Sequence, residues 1–408
     1  MRGLLSDVRI LDLTRMLAGP YGTMLLADMG ADMIKIEDHR GDYTRQGVQT
    51  SIGKMGAYFL ALNRNKKSVI IDLKNPKGLE IFYELVKVSD VVMDNMRPKA
   101  LKNLKCDYDD LKKVNPKIIS CSLSGFGHTG PYKDRTAFDL TIQAISGGMS
   151  VTGEVGGPPV RMGIPIGDVA GGMTAALSIV SALHYREKTG RGQKLDISLM
   201  DVQISLASYL VSYYFVGGIL LGPQGSRHGS LCPYEAFQAS DRWLVVACVT
   251  EKFWEGLCIA LEVEELILDD RFDNAVKRMD NHDVLIEILQ KRFLEKTADE
   301  WLKLLEEADV PCAPVNSIDR ALSDPQTLAR NMVIDIKHPK LPTFQLAGNP
   351  IKSSEMEDFF APPPQLGENT KEVLKGVLGY SEAKVDQLTE EKVIGILKQE
   401  KEDEEDDE

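Results

Sequence analysis

Three observations in the sequence predict an α/β fold: a large, Rossmann-like domain with a mainly parallel sheet, plus a smaller α+β domain. Across the first two hundred of 408 residues, short β-branched runs alternate with helical stretches, as in βαβ units covered on both faces. Around 216–233 the chain turns Gly- and Pro-rich and that rhythm stops. Beyond it lie one strand and three amphipathic helices.

Taken in order, Val8 to Leu13 reads as a buried strand, Tyr21 to Met29 as a helix closed by Gly30, and Met33 to Glu37 as the next strand. Strands over Ser68 to Leu73, Asp90 to Asp94 and Lys117 to Leu123 follow, with a helix opened by Pro76 and running to Leu85. No Gly-x-Gly-x-x-Gly follows the first strand, so NAD chemistry has no support. Val169 to Tyr185 is helical, and its Ala and Gly residues leave room for another backbone. Gln193 to Leu199 is a strand and Asp201 to Phe215 an apolar helix. After the linker, a strand over Trp243 to Val249 precedes helices near 252–262, 282–294 and 298–308; Thr297-Ala298-Asp299-Glu300 is a capping box. Met332 to Lys337 is strand-like, Pro362 to Pro364 an irregular crossing, and helices are expected at about 369–378 and 389–398. The expected organisation is therefore 1–215 for the N-terminal part of the large domain, 216–233 for the linker and 234–330 for the small domain. Residues 331–398 return to the large domain, and 399–408 form an acidic disordered tail.

Composition excludes several classes. Of the net charge of −13, the last eight residues contribute −6, and the remainder argues against a nucleic-acid partner. No run approaches the ~18 consecutive apolar residues of a membrane helix, so no membrane partner is expected. Six scattered cysteines without a Cys-x-x-Cys pair read as reduced thiols in a cytoplasmic protein. Six histidines without metal-type spacing predict no metal site.

Four segments can carry chemistry. Thr14 to Gly22 is a turn at the carboxyl end of the first strand, where open α/β sheets hold ligands, or an ordinary βα turn. Leu62 to Ser68 is basic and Asn-rich, a phosphate contact or simply a wet surface. Ser124 to Pro131 is a Gly-rich loop suited to a binding edge or lid, with His128 read as a polar loop residue. Asp168, in Gly167-Asp168-Val169-Ala170-Gly171-Gly172, stands before a small-residue helix. It can be the helix N-cap or a carboxylate nucleophile shielded from water, or both.

These segments together resemble the class III coenzyme A transferases, the group that includes formyl-CoA and carnitine CoA transferases. The matching residues run in order: Arg9 to Thr14 with Ala18-Gly19-Pro20; Gly30-Ala31 with Ile34 to Glu37; Asn65 to Ser68; Ser124 to Gly127 with Thr129-Gly130-Pro131; Gly167-Asp168; and Lys188 to Gln193. The resemblance runs to about Lys398. It implies a CoA-transferase that moves coenzyme A from a donor acyl-CoA, such as succinyl-CoA or another dicarboxylyl-CoA, to a free carboxylic acid. Asp168 would be the catalytic residue, passing through an aspartyl anhydride and an aspartyl-CoA thioester. With an ordinary pKa of ~3.9 it would be ionised at pH 7 without a general base. Backbone N–H groups after Asp168, or from a lid, would stabilise the oxyanions.

The resemblance further implies coenzyme A contacts at Met16, Leu17 and Ala18, at Ile71, Asp72, Leu73 and Lys74, and at Asn95, Met96 and Asn103. The last group is Arg135, Thr136, Ala137 and Phe138. Asp38 stands where a basic residue is expected, with Arg40 as the nearest substitute, and Lys102 replaces another beside Asn103. No permanent cofactor is implied, the thioester being a substrate. An interlocked homodimer is. Arg15 and Arg161 are candidates for a second substrate carboxylate or are structural ion pairs. One alternative is an α-methylacyl-CoA racemase, but the histidine of that group falls at Phe138, which cannot move a proton. A non-catalytic acyl-CoA-binding protein is the other. Some transferases carry a glycine-rich lid that would fall near Cys248 to Glu251, where this chain has no glycine.

Overall fold

The computed structural model describes residues 3–47 and 50–397, so the expected acidic tail lies outside the described residues. Its contacts form two compact units. The first comprises Met1–Ser146, Met162–Ser208 and Ala329–Glu408; the second comprises Gly147–Arg161 and Tyr209–Leu328.

In the first unit, strands β1 (Arg9–Asp12), β2 (Asp32–Glu37), β3 (Lys66–Ile71), β4 (Val91–Asp94), β5 (Ile119–Ser124) and β6 (Gln193–Ser198) are parallel and ordered β3-β2-β1-β4-β5-β6. Leu11 pairs with Ile34 on one side and Val92 on the other. The order reverses between β1 and β4, so the crevice at their carboxyl ends is the place for a ligand. The helices named below are α1 (Ala18–Asp28), α2 (Pro76–Lys87), α3 (Pro98–Asn103), α4 (Tyr108–Val114), α5 (Asp139–Ile145), α6 (Ile166–Thr189) and α7 (Leu199–Leu206).

Strand alternation sorts the core onto two faces. Leu11, Ile34 and Val69 pack with Phe82 and Leu85 of α2. Ile10, Met33 and Ile119 face the other way, with Leu26 of α1 and Ala175 and Ile179 of α6. The small residues of α6 are used as expected: a Cβ on Gly172 would fall 2.4 Å from the Ala18 carbonyl oxygen, and one on Gly22 2.5 Å from that of Gly172. Any larger residue would force α1 and α6 apart. With 24 residues, α6 is also long and apolar enough to cross a membrane, and half of that apolar stretch is buried.

Three elements depart from expectation. α1 starts at Ala18, because Pro20 sits in a first turn that needs no N–H from it. The apolar run 201–215 is two helices, α7 and Ser208–Gly217. The helix expected at about 389–398 is instead a helix over Glu382–Glu390 followed by a strand, Ile394–Gly395, antiparallel to β3. Lys392 takes a left-handed φ of 56°, which ends the helix and turns buried Val393 and Ile394 onto the sheet edge.

The second unit has a three-stranded antiparallel sheet of β7 (Tyr234–Gln238), β8 (Trp243–Ala247) and β9 (Cys312–Pro314). With it go α8 (Glu251–Ala260), α9 (His282–Phe293) and α10 (Ala298–Glu307). Its core is Phe237, Leu244, Trp254, Phe293 and Trp301. The capping box forms: Thr297 N–H donates to Glu300 Oε2 at 2.8 Å, and Glu300 N–H to Thr297 Oγ1 at 3.4 Å. The turn at Cys248 is a plain strand-to-helix connection in which Thr250 caps α8.

Candidate active site

The head of α6 is capped from elsewhere. Asp139, only 7% exposed, accepts the N–H of Gly167 at 2.9 Å and that of Asp168 at 3.3 Å. Its other oxygen accepts from Gln143 Nε2 at 2.6 Å, and Gln143 Oε1 holds the N–H of Met162 at 2.9 Å. The N-cap position is Pro165, so Asp168 is not the cap that its place before an apolar run suggests. Instead it occupies the third helical position, half-buried, with no hydrogen bond to its carboxylate among the described residues. The next N–H, of Val169, goes to the Pro165 carbonyl at 3.0 Å. The first-turn donors expected to serve an oxyanion are thus already committed to Asp139 and to the helix.

The electrostatics also correct an expectation. Burial, reinforced by the Asp139 carboxylate, pushes Asp168 up from 3.8 to about 7. It is therefore not fully ionised at pH 7. Tyr58, which sequence reasoning passed over, has its phenol raised above 10.0 by burial and by the carboxylates of Asp168, Asp42 and Asp139. Asp139 and Gln143 were also unforeseen, since no local spacing ties them to a helix more than twenty residues on. Gln203 completes the surroundings. A Cβ on Gly167 would fall 2.8 Å from Gln203 Nε2 and 2.9 Å from Asp139 Oδ1, so a side chain there would displace both groups.

The β1–α1 turn is held from two sides. Met16 adopts a left-handed φ of 67°, a strained geometry for a side-chain-bearing residue. Asn95 clamps the turn across the reversal point, accepting from Arg15 N–H at 2.9 Å and donating to the Arg15 carbonyl at 2.7 Å. From below, fully buried Lys35 donates to the Thr14 carbonyl at 2.6 Å and pairs with Asp42 at 3.2 Å. Leu17 and Ala18 then lead into α1.

A small hollow of about 70 Å³ beside this turn joins Arg15, Asp38, Ile71 to Lys74 and Met96. The buried Ile71 side chain leaves only backbone to offer there. Lys102 lines a different hollow, of about 290 Å³, with His128 and Lys194, and Asn103 ends α3 above it. Arg40 is exposed; Arg15 and Arg40 both donate to Asp38, each at 3.3 Å. Arg135 stacks on Tyr132 at 3.7 Å, Thr136 accepts from Arg97 at 3.3 Å, Ala137 packs on Gly125, and Phe138 stands at the N-cap position of α5, its N–H donating to Thr141 Oγ1 at 3.0 Å.

Within the basic run before β3, Arg64 and Lys66 are buried ion-pair partners, while Lys67 is partly exposed and pairs with Asp32 at 3.0 Å. Arg64 makes a buried pair with Asp28 at 2.6 Å, and Lys66 with Asp12 at 3.1 Å. Lys66 also donates to Thr23 Oγ1 at 2.8 Å, Pro20 O at 3.0 Å and Asn63 Oδ1 at 3.0 Å. β3 starts two residues earlier than expected, at Lys66, and Arg64 and Lys66 bond to Asp28 and Thr23 of α1.

The profile described as CoA-transferase family III matches residues 5–370. The chain is 36% identical over 392 residues to the succinyl-CoA:glutarate CoA-transferase of Homo sapiens, covering 96% of this chain and 90% of that protein. It is 37% identical over 385 residues to the succinyl-CoA:mesaconate CoA-transferase of Haloarcula hispanica, covering 91% and 96%. The crystal structure of a CAIB/BAIF family protein from Brucella suis superposes with a TM-score of 0.84 at 32% identity, over 92% of this chain and all of that one.

Proposed function

The chain belongs to CoA-transferase family III, and on that footing we propose that it carries coenzyme A from a dicarboxylyl-CoA, such as succinyl-CoA, to a free carboxylic acid by way of Asp168. That it is a CoA-transferase follows from the family itself. The observation that carries the aspartyl route is the half-buried carboxylate of Asp168, without a hydrogen bond among the described residues, at a helix start whose capping is done by Asp139.

In the first step the Asp168 carboxylate attacks the donor thioester carbonyl; the C–S bond breaks, leaving a mixed anhydride and coenzyme A thiolate. The thiolate then attacks the aspartyl carbonyl of the anhydride, giving an aspartyl-CoA thioester and freeing the donor acid. The acceptor carboxylate attacks that thioester and releases the thiolate again. Finally the thiolate takes the acceptor acyl group and Asp168 is restored. Both intermediates hydrolyse readily, so a site that excludes water protects them. The same exclusion raises the pKa of Asp168, leaving about half of it ionised near pH 7.

Coenzyme A is assigned to the turn at Met16, Leu17 and Ala18, to Ile71 to Lys74, and to Asn95 and Met96. The hollow at the strand-order reversal supports this. Lys102, Asn103, Arg40 and Arg135 to Phe138 are assigned to its outer contacts. Arg15 is the better-supported holder of a second substrate carboxylate, since its pair with Asp38 is exposed and readily exchanged. A homodimer is part of the proposal: Met173, Leu177 and Val180 form an exposed apolar stripe on α6 at helical spacing. A monomeric mass by light scattering at micromolar concentration would contradict it. The aspartyl route is tested by trapping the turning-over enzyme with hydroxylamine or borohydride. A covalent mark on the peptide 161–186 is the expected result; an unmarked peptide with full turnover rejects it.

A further inference from the structure

In the second unit, three side chains with different donor atoms converge. Cys232 is 2% exposed and lies just before β7, Glu235 is on β7, and His282 opens α9. The thiol sulfur, a carboxylate oxygen and an imidazole nitrogen all lie within 4.8 Å of one another. No other trio of His, Cys, Asp or Glu among the described residues meets that spacing. We infer that Cys232, Glu235 and His282 bind one zinc-like divalent ion, with solvent as the fourth ligand.

The donor set matches the ion. Thiolate, imidazole and carboxylate are the three ligand classes of protein zinc sites, and three protein ligands with one open position is a recurring arrangement. With metal–ligand bonds of about 2.0–2.3 Å, tetrahedral ligands stand roughly 3.3–3.7 Å apart. His282 Nε2 and Glu235 Oε1 are 2.7 Å apart, joined by a hydrogen bond. An ion in place of that proton requires them to part by only about half an ångström.

The surroundings are those of a prepared ligand. His282 Nδ1 is 2.9 Å from Asp283 Oδ1, so a carboxylate fixes the ring and can hold the tautomer that turns the Nε2 lone pair inward. On binding, the Cys232 S–H breaks and its proton leaves to solvent. The imidazole remains neutral: its proton is carried on Nδ1 instead of Nε2, and Nδ1–H donates a hydrogen bond to Asp283. Thiolate and Glu235 then balance the two charges of the ion. Arg278 lies close, donating to the Cys232 carbonyl at 3.2 Å, but Glu251 holds its guanidinium at 2.8 and 2.9 Å. A surface hollow of about 410 Å³, lined by Asn281, His282, Asp283 and Arg227, gives solvent a way to the imidazole side. The ion would tie the start of β7 to the start of α9. Sequence spacing conceals the site, because His282 comes 47 residues after Glu235.

The test uses the full-length protein, stripped with a chelator and titrated with cobalt(II), then zinc. One ion per chain is expected, with a thiolate-to-cobalt charge-transfer band that zinc bleaches. Cys232→Ser should abolish the band, and His282→Gln should weaken binding at least about tenfold. Asp283→Asn, which leaves all three ligands in place, should weaken it by about ten- to a hundredfold. Zinc should raise the melting temperature of the wild type and not of Cys232→Ser. A wild-type chain without the band, or a band of unchanged affinity in Cys232→Ser, overturns the assignment. Should Cys232→Ser fail to fold, the wild-type titration and Asp283→Asn still decide: unchanged affinity in Asp283→Asn removes the oriented imidazole on which the site depends.

Discussion

Asp12 and Asp168 are both withdrawn from water in the first unit, yet they end at opposite ends of the acid scale. Burial alone raises each. At Asp12 the cations of Lys66 and Lys35, with Thr14 hydrogen bonds, outweigh it and bring the carboxyl down to about 2. At Asp168 no cation among the described residues offsets it, and the Asp139 carboxylate adds to it, so the value climbs to about 7. Depth of burial therefore does not separate a structural carboxylate from a reactive one; the sign of its neighbours does.

The largest expected effect removes the unanswered carboxylate. Asp168→Asn should cost at least about 10⁴-fold in kcat, as loss of a covalent nucleophile does elsewhere. The same variant should be more stable than wild type near pH 8, because a buried charge without a partner is gone. Steady-state assays and urea unfolding measure the two effects. Turnover within tenfold of wild type would remove Asp168 from the mechanism.

Next comes the answered carboxylate. Lys66→Met leaves Asp12 buried without its closest cation and should destabilise by about 3–5 kcal/mol. The double variant Asp12→Asn with Lys66→Met should recover most of that loss. Unfolding curves that add with no coupling would mean that the two side chains do not act as a pair.

These two regions also differ in how far the sequence discloses them. Asp168 stood out because a lone carboxylate before a run of small residues is conspicuous, and the parallel strands because each is a short β-branched run. Lys66 and Arg64 did not, since polar residues in a basic string carry no mark of burial; their partners Asp12 and Asp28 come from distant segments. Asp139 was hidden for the same reason, capping a helix 28 residues away. The strand Ile394–Gly395 sits among residues of helical composition, and only the free edge of β3 makes it a strand. Pairings across the chain are what propensity and periodicity leave out.

The pH response should split the pair of aspartates. Asp168 has a folded pKa near 7, above the unfolded value, so the native state holds an extra proton between about pH 4 and 7. Its contribution to stability therefore falls as pH rises through that window, while activity rises roughly tenfold per unit up to about pH 7. Asp12, lowered to about 2, behaves oppositely: its contribution is present above about pH 4 and lost as pH falls towards 2. Rate profiles and unfolding midpoints from pH 5 to 9 check the first behaviour, and acid unfolding the second. An acylation rate flat from pH 5 to 8 would mean that Asp168 is ionised throughout.

The smallest effect dissects why Asp168 is raised. Asp139→Asn keeps one oxygen to accept the Gly167 N–H but deletes the negative charge that, after burial, holds Asp168 up. The midpoint of the rate profile should therefore drop below its wild-type position, with most of the upward displacement surviving because burial is the larger cause. The amide can also turn its NH₂ towards Gly167, weakening the cap by about 1 kcal/mol. Asp139→Ala separates the two effects: it loses charge and cap together, so its profile should move like that of Asp139→Asn while its stability falls further. A midpoint unmoved in both variants would leave burial alone as the cause, and the contrast between Asp12 and Asp168 would reduce to the presence or absence of a lysine.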